Sequence, residues 1–95
     1  MPYRLSERAD QDVEDIAVFT IRTFGVQQAQ KYHEGLKRSF EFLSENPLAA
    51  RQRKTFSPPV RIHPSGAHVI VYVIDAEGVL IIRVLGASQD WGRHL

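Results

Sequence analysis

The segment His68-Val69-Ile70-Val71-Tyr72-Val73-Ile74 constrains the fold more than any other part of the chain. Its β-branched and aromatic residues favour a strand, and successive side chains of a strand point to opposite faces. Val69, Val71 and Val73 therefore share one face, and Ile70, Tyr72 and Ile74 share the other. Both faces are apolar, whereas an antiparallel strand with one wet face alternates apolar with polar. This strand belongs at the centre of a sheet covered on both sides. The turn Asp75-Ala76-Glu77-Gly78 joins it to a second apolar strand, Val79 to Leu85. There, simple alternation puts Leu80, Ile82 and Val84 on one face and Val79, Ile81 and Leu85 with Arg83 on the other. Val60-Arg61-Ile62-His63, followed by the turn Pro64-Ser65-Gly66, supplies the first strand of a three-strand meander.

The first half of the chain reads as two helices. Ser6 is an N-cap, and Glu7, Asp10 and Asp12 follow near the positive end of the helix dipole. Ala9, Val13, Ile16, Ala17, Ile21 and Phe24 trace one apolar stripe. Gly25 ends that helix, because glycine tolerates the positive φ needed there. The stripe Ala29, Tyr32, Leu36, Phe40 and Leu43 marks a second helix, stopped at Asn46-Pro47. A single glycine between two helices makes an antiparallel hairpin. With Tyr3-Arg4-Leu5 as an opening strand, the order is β-α-α-β-β-β. This is an α+β domain with a helical hairpin packed on an antiparallel sheet. Such a hairpin covers only one sheet face. The second face falls to the connector with Phe56, to the tail with Trp91 and Leu95, or to another chain.

A chain of 95 residues has room for one core, so residues 1–95 form a single domain. The absence of cysteine excludes disulfides, thiolate metal sites and cysteine nucleophiles. No apolar run approaches the roughly 20 residues of a membrane span, and Met1-Pro2-Tyr3-Arg4 lacks a secretory core. A cytoplasmic protein is expected. The net charge is +1, but residues 1–50 carry six Lys/Arg against eight Asp/Glu, and residues 51–95 carry six against three. The stretch holding Arg51, Arg53, Lys54 and Arg61 contains no acid. Such a stretch suits an acidic partner or a phosphate backbone, but in a chain so nearly neutral a solvated basic loop is favoured over a nucleic-acid surface.

The chemistry on offer is narrow. Histidines 33, 63, 68 and 94 show no metal-ligand spacing, and no phosphate loop, nucleophile elbow or dinucleotide fingerprint is present. No metal or cofactor is expected. One set has catalytic potential: Arg53, Lys54, Arg61, Arg83 and His94, with His63 as an alternative proton carrier. Metal-free RNA cleavage needs a base, cations for the phosphorane charge and an acid for the leaving oxygen. The competing readings are structural. Arg83 then neutralises a carboxylate, Tyr72 is a core residue with a bonded hydroxyl, and His68 is a satisfied strand histidine.

Several local patterns taken together resemble the ParE branch of the RelE/ParE superfamily, the toxins of type II toxin–antitoxin systems. These are Tyr3-Arg4-Leu5-Ser6 with Ala9 and Asp12; Phe24-Gly25 with Gln28-Ala29 and Tyr32; Leu43-x-x-Asn46-Pro47; Arg61-x4-Gly66-x-His68-x-Ile70-x-Tyr72; and Ile81-x-Arg83-Val84-Leu85 with Asp90. The match runs along almost the whole chain in the family's order. It implies a compact βααβββ fold and a ParD-like antitoxin whose C-terminal segment wraps the toxin. It implies inhibition of DNA gyrase by binding, with growth arrest and plasmid or chromosomal stabilisation as the outcome. The RelE branch instead cuts mRNA on the ribosome, for which Arg61, Arg83 and His94 are the available set. Two departures are visible: the chain ends His94-Leu95 where some nuclease members carry a tyrosine, and Gly86 stands where many ParE relatives carry histidine.

On the gyrase reading the contact residues are Arg83, Asp90, Trp91 and Arg93, with Trp91 either an interface anchor or a lid on the open sheet face. The antitoxin is expected to cover the sheet and lie along the hairpin, in a groove of Phe24, Tyr32, Ile70 and Tyr72 suited to an amphipathic helix. A third reading is a degenerate toxin that binds only its antitoxin.

Overall fold

The computed structural model describes residues 2–95. Strand β1 (Tyr3–Leu5) runs into Ser6, whose Oγ accepts the Ala9 N–H and so caps helix α1 (Glu7–Phe24). Gly25 takes φ +91° and joins α1 to α2 (Val26–Glu45). Strands β2 (Gln52–Arg53), β3 (Val60–Ser65), β4 (His68–Asp75) and β5 (Gly78–Gly86) follow, then a 3-10 turn, Trp91–Arg93. The predicted helices and meander are all present.

The sheet has five strands in the order β1-β5-β4-β3-β2. The meander β3-β4-β5 is antiparallel, as expected. The sheet as a whole is mixed, because β1 pairs parallel to β5 through Tyr3–Val79, Arg4–Leu80 and Leu5–Ile81. The helical hairpin and strands β2 to β4 all lie between these two parallel neighbours, well beyond the dozen or so residues that a parallel pairing requires. A two-residue β2 also joins β3 inside what the sequence presents as a connector.

Two apolar layers flank the sheet. On one side Ile70, Tyr72, Val79, Ile81 and Val84 pack under Ala9, Leu36, Phe40 and Leu43 of the helices. On the other, Val60, Ile62, Val69, Val71 and Leu85 are roofed by Phe56 and Trp91. The connector and the tail therefore close the second face, although Leu95 remains 37% exposed.

Two sequence expectations fail for local reasons. Tyr72 faces Ile81 and Val71 faces Arg83, so Ile82 is a bulged residue. The bulge advances the side-chain alternation by one. Beyond the bulge Val84 thereby joins the helix side and Leu85 the opposite side, reversing the simple pattern for that half of the strand. In α1, Thr20 is buried and donates to the Ile16 carbonyl, whereas Ile21 and Phe24 are exposed. The hairpin tip stands clear of the sheet, so the outer end of the stripe has nothing to pack on.

Candidate functional site

The edge of β5 beyond β1 holds the most constrained polar cluster. Where β1 stops, the Ser6 N–H donates to Ile81 O and Ser6 Oγ donates to Ile82 O. One turn into α1, the Asp12 carboxylate takes over. Its Oδ2 accepts from the Val84 N–H at 2.9 Å and from Arg83 Nε at 2.8 Å, while Oδ1 accepts from Arg83 Nη2 at 2.9 Å. Both side chains are largely buried, 12% exposed for Arg83 and 13% for Asp12. The fork-shaped guanidinium and carboxylate match in a bidentate pair. The hydrogen bonds to Asp12 raise the Arg83 pKa above the ordinary arginine value, against the opposing effect of burial. Arg83 Nη1 also donates to the His94 carbonyl and ties the tail to the sheet edge. Further along, the Gly86 N–H donates to Gln89 Oε1. An edge that would invite another strand is thus closed by side chains.

The tail folds back over the second face. The half-buried Trp91 ring lies on the apolar layer, and the Arg53 guanidinium sits 5.7 Å from its centroid. The Trp91 Nε1–H is buried without a hydrogen-bond partner. Asp90 and Arg93 are exposed and pair with each other at 3.4 Å. The four target-contact candidates therefore occupy one end of the molecule, but their surfaces differ. Asp90 and Arg93 face solvent, Trp91 is a roof, and Arg83 is held by Asp12.

The nuclease set is not assembled. Arg61 lies opposite Tyr72 on the helix side, where its Nη1 donates to the Ala50 carbonyl at 2.6 Å. Arg83 lies opposite Val71 and is bound to Asp12. His94 meets Arg83 through its backbone carbonyl, not its imidazole. His63 stacks on Phe42, with ring centroids 5.5 Å apart, and burial pushes its pKa below the usual histidine value. Among the described residues no group of His, Asp or Glu is placed to hold a metal ion.

The four residues expected to line an antitoxin groove do not share a surface. Ile70 and Tyr72 are fully buried. The Tyr72 hydroxyl donates to Pro47 O and accepts from the Ala50 N–H, so it anchors the end of α2 and the connector. Phe24 is exposed at the hairpin tip, and Tyr32 is half-buried on the far flank of α2. Alternation alone leaves a face of β4 open to a partner, but the helices and the roof occupy both faces.

Two concavities flank α2 instead. Ala17, Ile21, Val26, Ala29, Gln30, His33 and Glu34 line a groove of about 490 Å³ in the helical hairpin. Phe19, Phe24 and Val26 stand exposed at that end of the hairpin. On the opposite flank, α2 and the β3–β4 turn enclose a cleft of about 520 Å³. Sequence reasoning misses this cleft because its residues alternate along α2 with core positions and carry no motif. Tyr32 fixes its wall: its hydroxyl accepts the Ala67 N–H at 3.0 Å and contacts Ser65 O and His68 Nδ1. Gly66 permits that approach, since it has φ +58° and a Cβ there would lie 2.9 Å from the Tyr32 ring.

The family model described as the ParE toxin of the type II toxin–antitoxin system parDE matches residues 3–91. The Toxin ParE1 of Caulobacter vibrioides is 36% identical over 94 residues, covering 99% of this chain and 97% of that protein. The Toxin ParE1 of Mycobacterium tuberculosis is 31% identical over 94 residues, covering 98% and 96%. A solved structure titled "Chromosomal ParDE TA system from P. aeruginosa" superimposes with a TM-score of 0.76, covering 90% of this chain and 95% of that one. At 18% identity that likeness speaks to the fold alone.

Proposed function

The chain belongs to the ParE toxin family of type II toxin–antitoxin systems, and from that premise we propose that it inhibits DNA gyrase by protein binding and is neutralised by a ParD-like antitoxin. The observation that carries binding over RNA cleavage is the engagement of Arg83. Stabilising a phosphorane requires a cation free to meet developing charge. Arg83 already meets a carboxylate through two charge-assisted bonds, and its remaining reach goes to the tail carbonyl. Arg61 is bound to the Ala50 carbonyl on the other side of the sheet. The exposed parts of the tail, Asp90 and Arg93, remain as rim contacts for a protein target, with Trp91 beneath them. For the antitoxin, the hairpin groove and its exposed apolar end suit the apolar face of an amphipathic helix.

The test is a pair of reactions with purified toxin freed of antitoxin. One contains gyrase and plasmid DNA, the other ribosomes translating a message. The expected result is loss of supercoiling or trapped cleaved DNA with an intact message, reversed by the antitoxin. Cleaved message with unaffected gyrase would sink the proposal and return Arg61, Arg83 and His94 to a catalytic role. Antitoxin binding with neither activity would identify a degenerate toxin.

A further inference from the structure

The cleft between α2 and the β3–β4 turn combines cations with an apolar wall, whereas the concavity of Arg51, Gln52, Arg53, Lys54 and Thr55 has cations but no apolar side chain. The cleft's charged lining is Lys31 and Arg38, with no acidic residue. Among the described residues neither cation takes part in an ion pair, unlike Arg4, Arg83 and Arg93. Glu34 is within a turn of both on the same helix, yet pairs with neither and lines the hairpin groove instead. The two cations flank Gly35, and a Cβ there would find only Arg38 Nη2, at 3.9 Å. The cleft floor is therefore open at that point, at a helix-interior position where glycine costs stability relative to alanine.

The remaining walls are tied together by side-chain contacts. Ser39 and Ser65 hydroxyls bond each other at 2.7 Å across the helix–strand junction. Phe42, 44% exposed, stacks on the His63 ring at an interplanar angle of 28° and forms a flat apolar ledge. Burial lowers the pKa of His63, which favours its neutral form, so the ledge adds no third positive charge near neutral pH.

We infer that this cleft binds an acidic segment of the antitoxin, with one or two carboxylates between Lys31 and Arg38 and a neighbouring apolar side chain on the Phe42–His63 ledge. The inference rests on the proposed antitoxin partnership. Charge complementarity selects the occupant's acids: unpaired cations beside an uncharged wall reward a carboxylate, and Arg offers it a bidentate fork. The apolar ledge selects a peptide over a free anion, which would leave Phe42 uncovered. The geometry adds continuity, since the hairpin groove and the cleft are the two flanks of the same stretch of α2. A partner helix in the groove can send its adjoining chain over α2 into the cleft.

The experiment measures affinity of full-length toxin for the ParD-like antitoxin by calorimetry at two salt concentrations. The variants are Lys31→Glu with Arg38→Glu, Gly35→Leu, and Arg51→Glu as a remote basic control. Thermal unfolding of each free toxin checks that it remains folded. The double charge reversal is expected to weaken binding about 100-fold, or about tenfold for each cation that no longer meets a carboxylate. It should also flatten the salt dependence. Gly35→Leu fills the floor without altering charge and is expected to weaken binding at least about tenfold, while improving helix propensity. Arg51→Glu should leave affinity within a few-fold.

If the cleft variants bind as tightly as wild type, the cleft proposal is overturned and the antitoxin reading stands. If wild-type toxin binds no such antitoxin, both fall. If the same variants instead lose affinity for a short DNA duplex and keep the antitoxin, the cleft serves a phosphate backbone and the peptide assignment is wrong.

Discussion

Replacing Asp12 with alanine removes three things at once: a bidentate partner for Arg83, an acceptor for the Val84 N–H, and the tie between α1 and the β5 edge. Arg83 then remains at 12% exposure with only the His94 carbonyl as acceptor. Breaking a buried ion pair from one side costs about 3–5 kcal/mol. The residual exposure and the His94 hydrogen bond discount that to about 2–4 kcal/mol. A chain of 95 residues has a total stability of about 5–14 kcal/mol, so the variant loses a large share of it. At about 4–8 °C per kcal/mol for a domain of this size, Tm should fall by at least about 8 °C. Asp12→Asn keeps an oxygen for Val84 and should lose less. Removing the stranded cation as well, in Asp12→Ala with Arg83→Met, should recover part of the loss. Urea unfolding of wild type, Asp12→Ala, Arg83→Met and the double variant measures the coupling directly. An Asp12→Ala protein within about 0.5 kcal/mol of wild type would falsify the view that this carboxylate holds Arg83 and the sheet edge together.

Other outcomes can be read from the same purified protein. Gly66→Ala forces a Cβ to 2.9 Å from Tyr32 at φ +58°, and should cost at least about 1–3 kcal/mol by denaturant titration. Tyr72→Phe removes the hydroxyl that serves Pro47 and Ala50, for a loss of about 1–2 kcal/mol. A charged residue at Tyr72 should prevent folding, and a folded variant of wild-type stability would contradict its burial. Trp91→Phe keeps the roof and removes the unpartnered indole N–H, so stability should hold within about 1 kcal/mol. Abolished gyrase inhibition in that folded variant would make the indole a target contact; retained inhibition would leave it a roof alone. Burial lowers the pKa of His63 and His68 relative to the unfolded chain. The unfolded state then binds more protons, so stability should be full above roughly pH 6.5 and decline as pH falls through and below that value. Tm measured from pH 8 to pH 5 checks the sign; a rise toward acid would contradict it.

The fold is legible in the sequence because its signals are local and repeated. Ser6 caps the helix that follows it, Gly25 turns the chain, and the β4–β5 hairpin pairs Asp75 with Gly78. What escapes the sequence depends on spatial relations that periodicity does not carry. The Ile82 bulge shifts half of β5 onto the opposite alternation, and no residue there announces it. The parallel partner of β1 lies far along the chain, and a three-residue strand has too short a pattern to choose an edge. The apolar end of α1 looks like core because the sequence cannot say where the sheet stops supporting the helix. For the site residues the failure is of another kind. Residue types are plain from the sequence, but their engagement is not: an arginine is a catalytic cation or a structural one according to whether a carboxylate from α1 reaches it.

Asp12 does reach it, and this links fold closure to what the surface can do. A short β1 leaves the outer half of β5 unpaired, which would ordinarily attract a strand from another chain. Ser6, Asp12 and Gln89 consume its backbone groups one after another. The roof of Phe56 and Trp91 likewise consumes the apolar second face. With an edge and a face both satisfied internally, the two flanks of α2 are left with apolar surface to offer a partner, whereas the concavity of Arg51, Arg53 and Lys54 offers only polar and charged side chains. One flank is apolar, with Ile21 and Val26 open to solvent, and the other holds Lys31 and Arg38 without acids. A partner that neutralises this protein has most to gain by straddling that helix, contributing an apolar face on one side and carboxylates on the other.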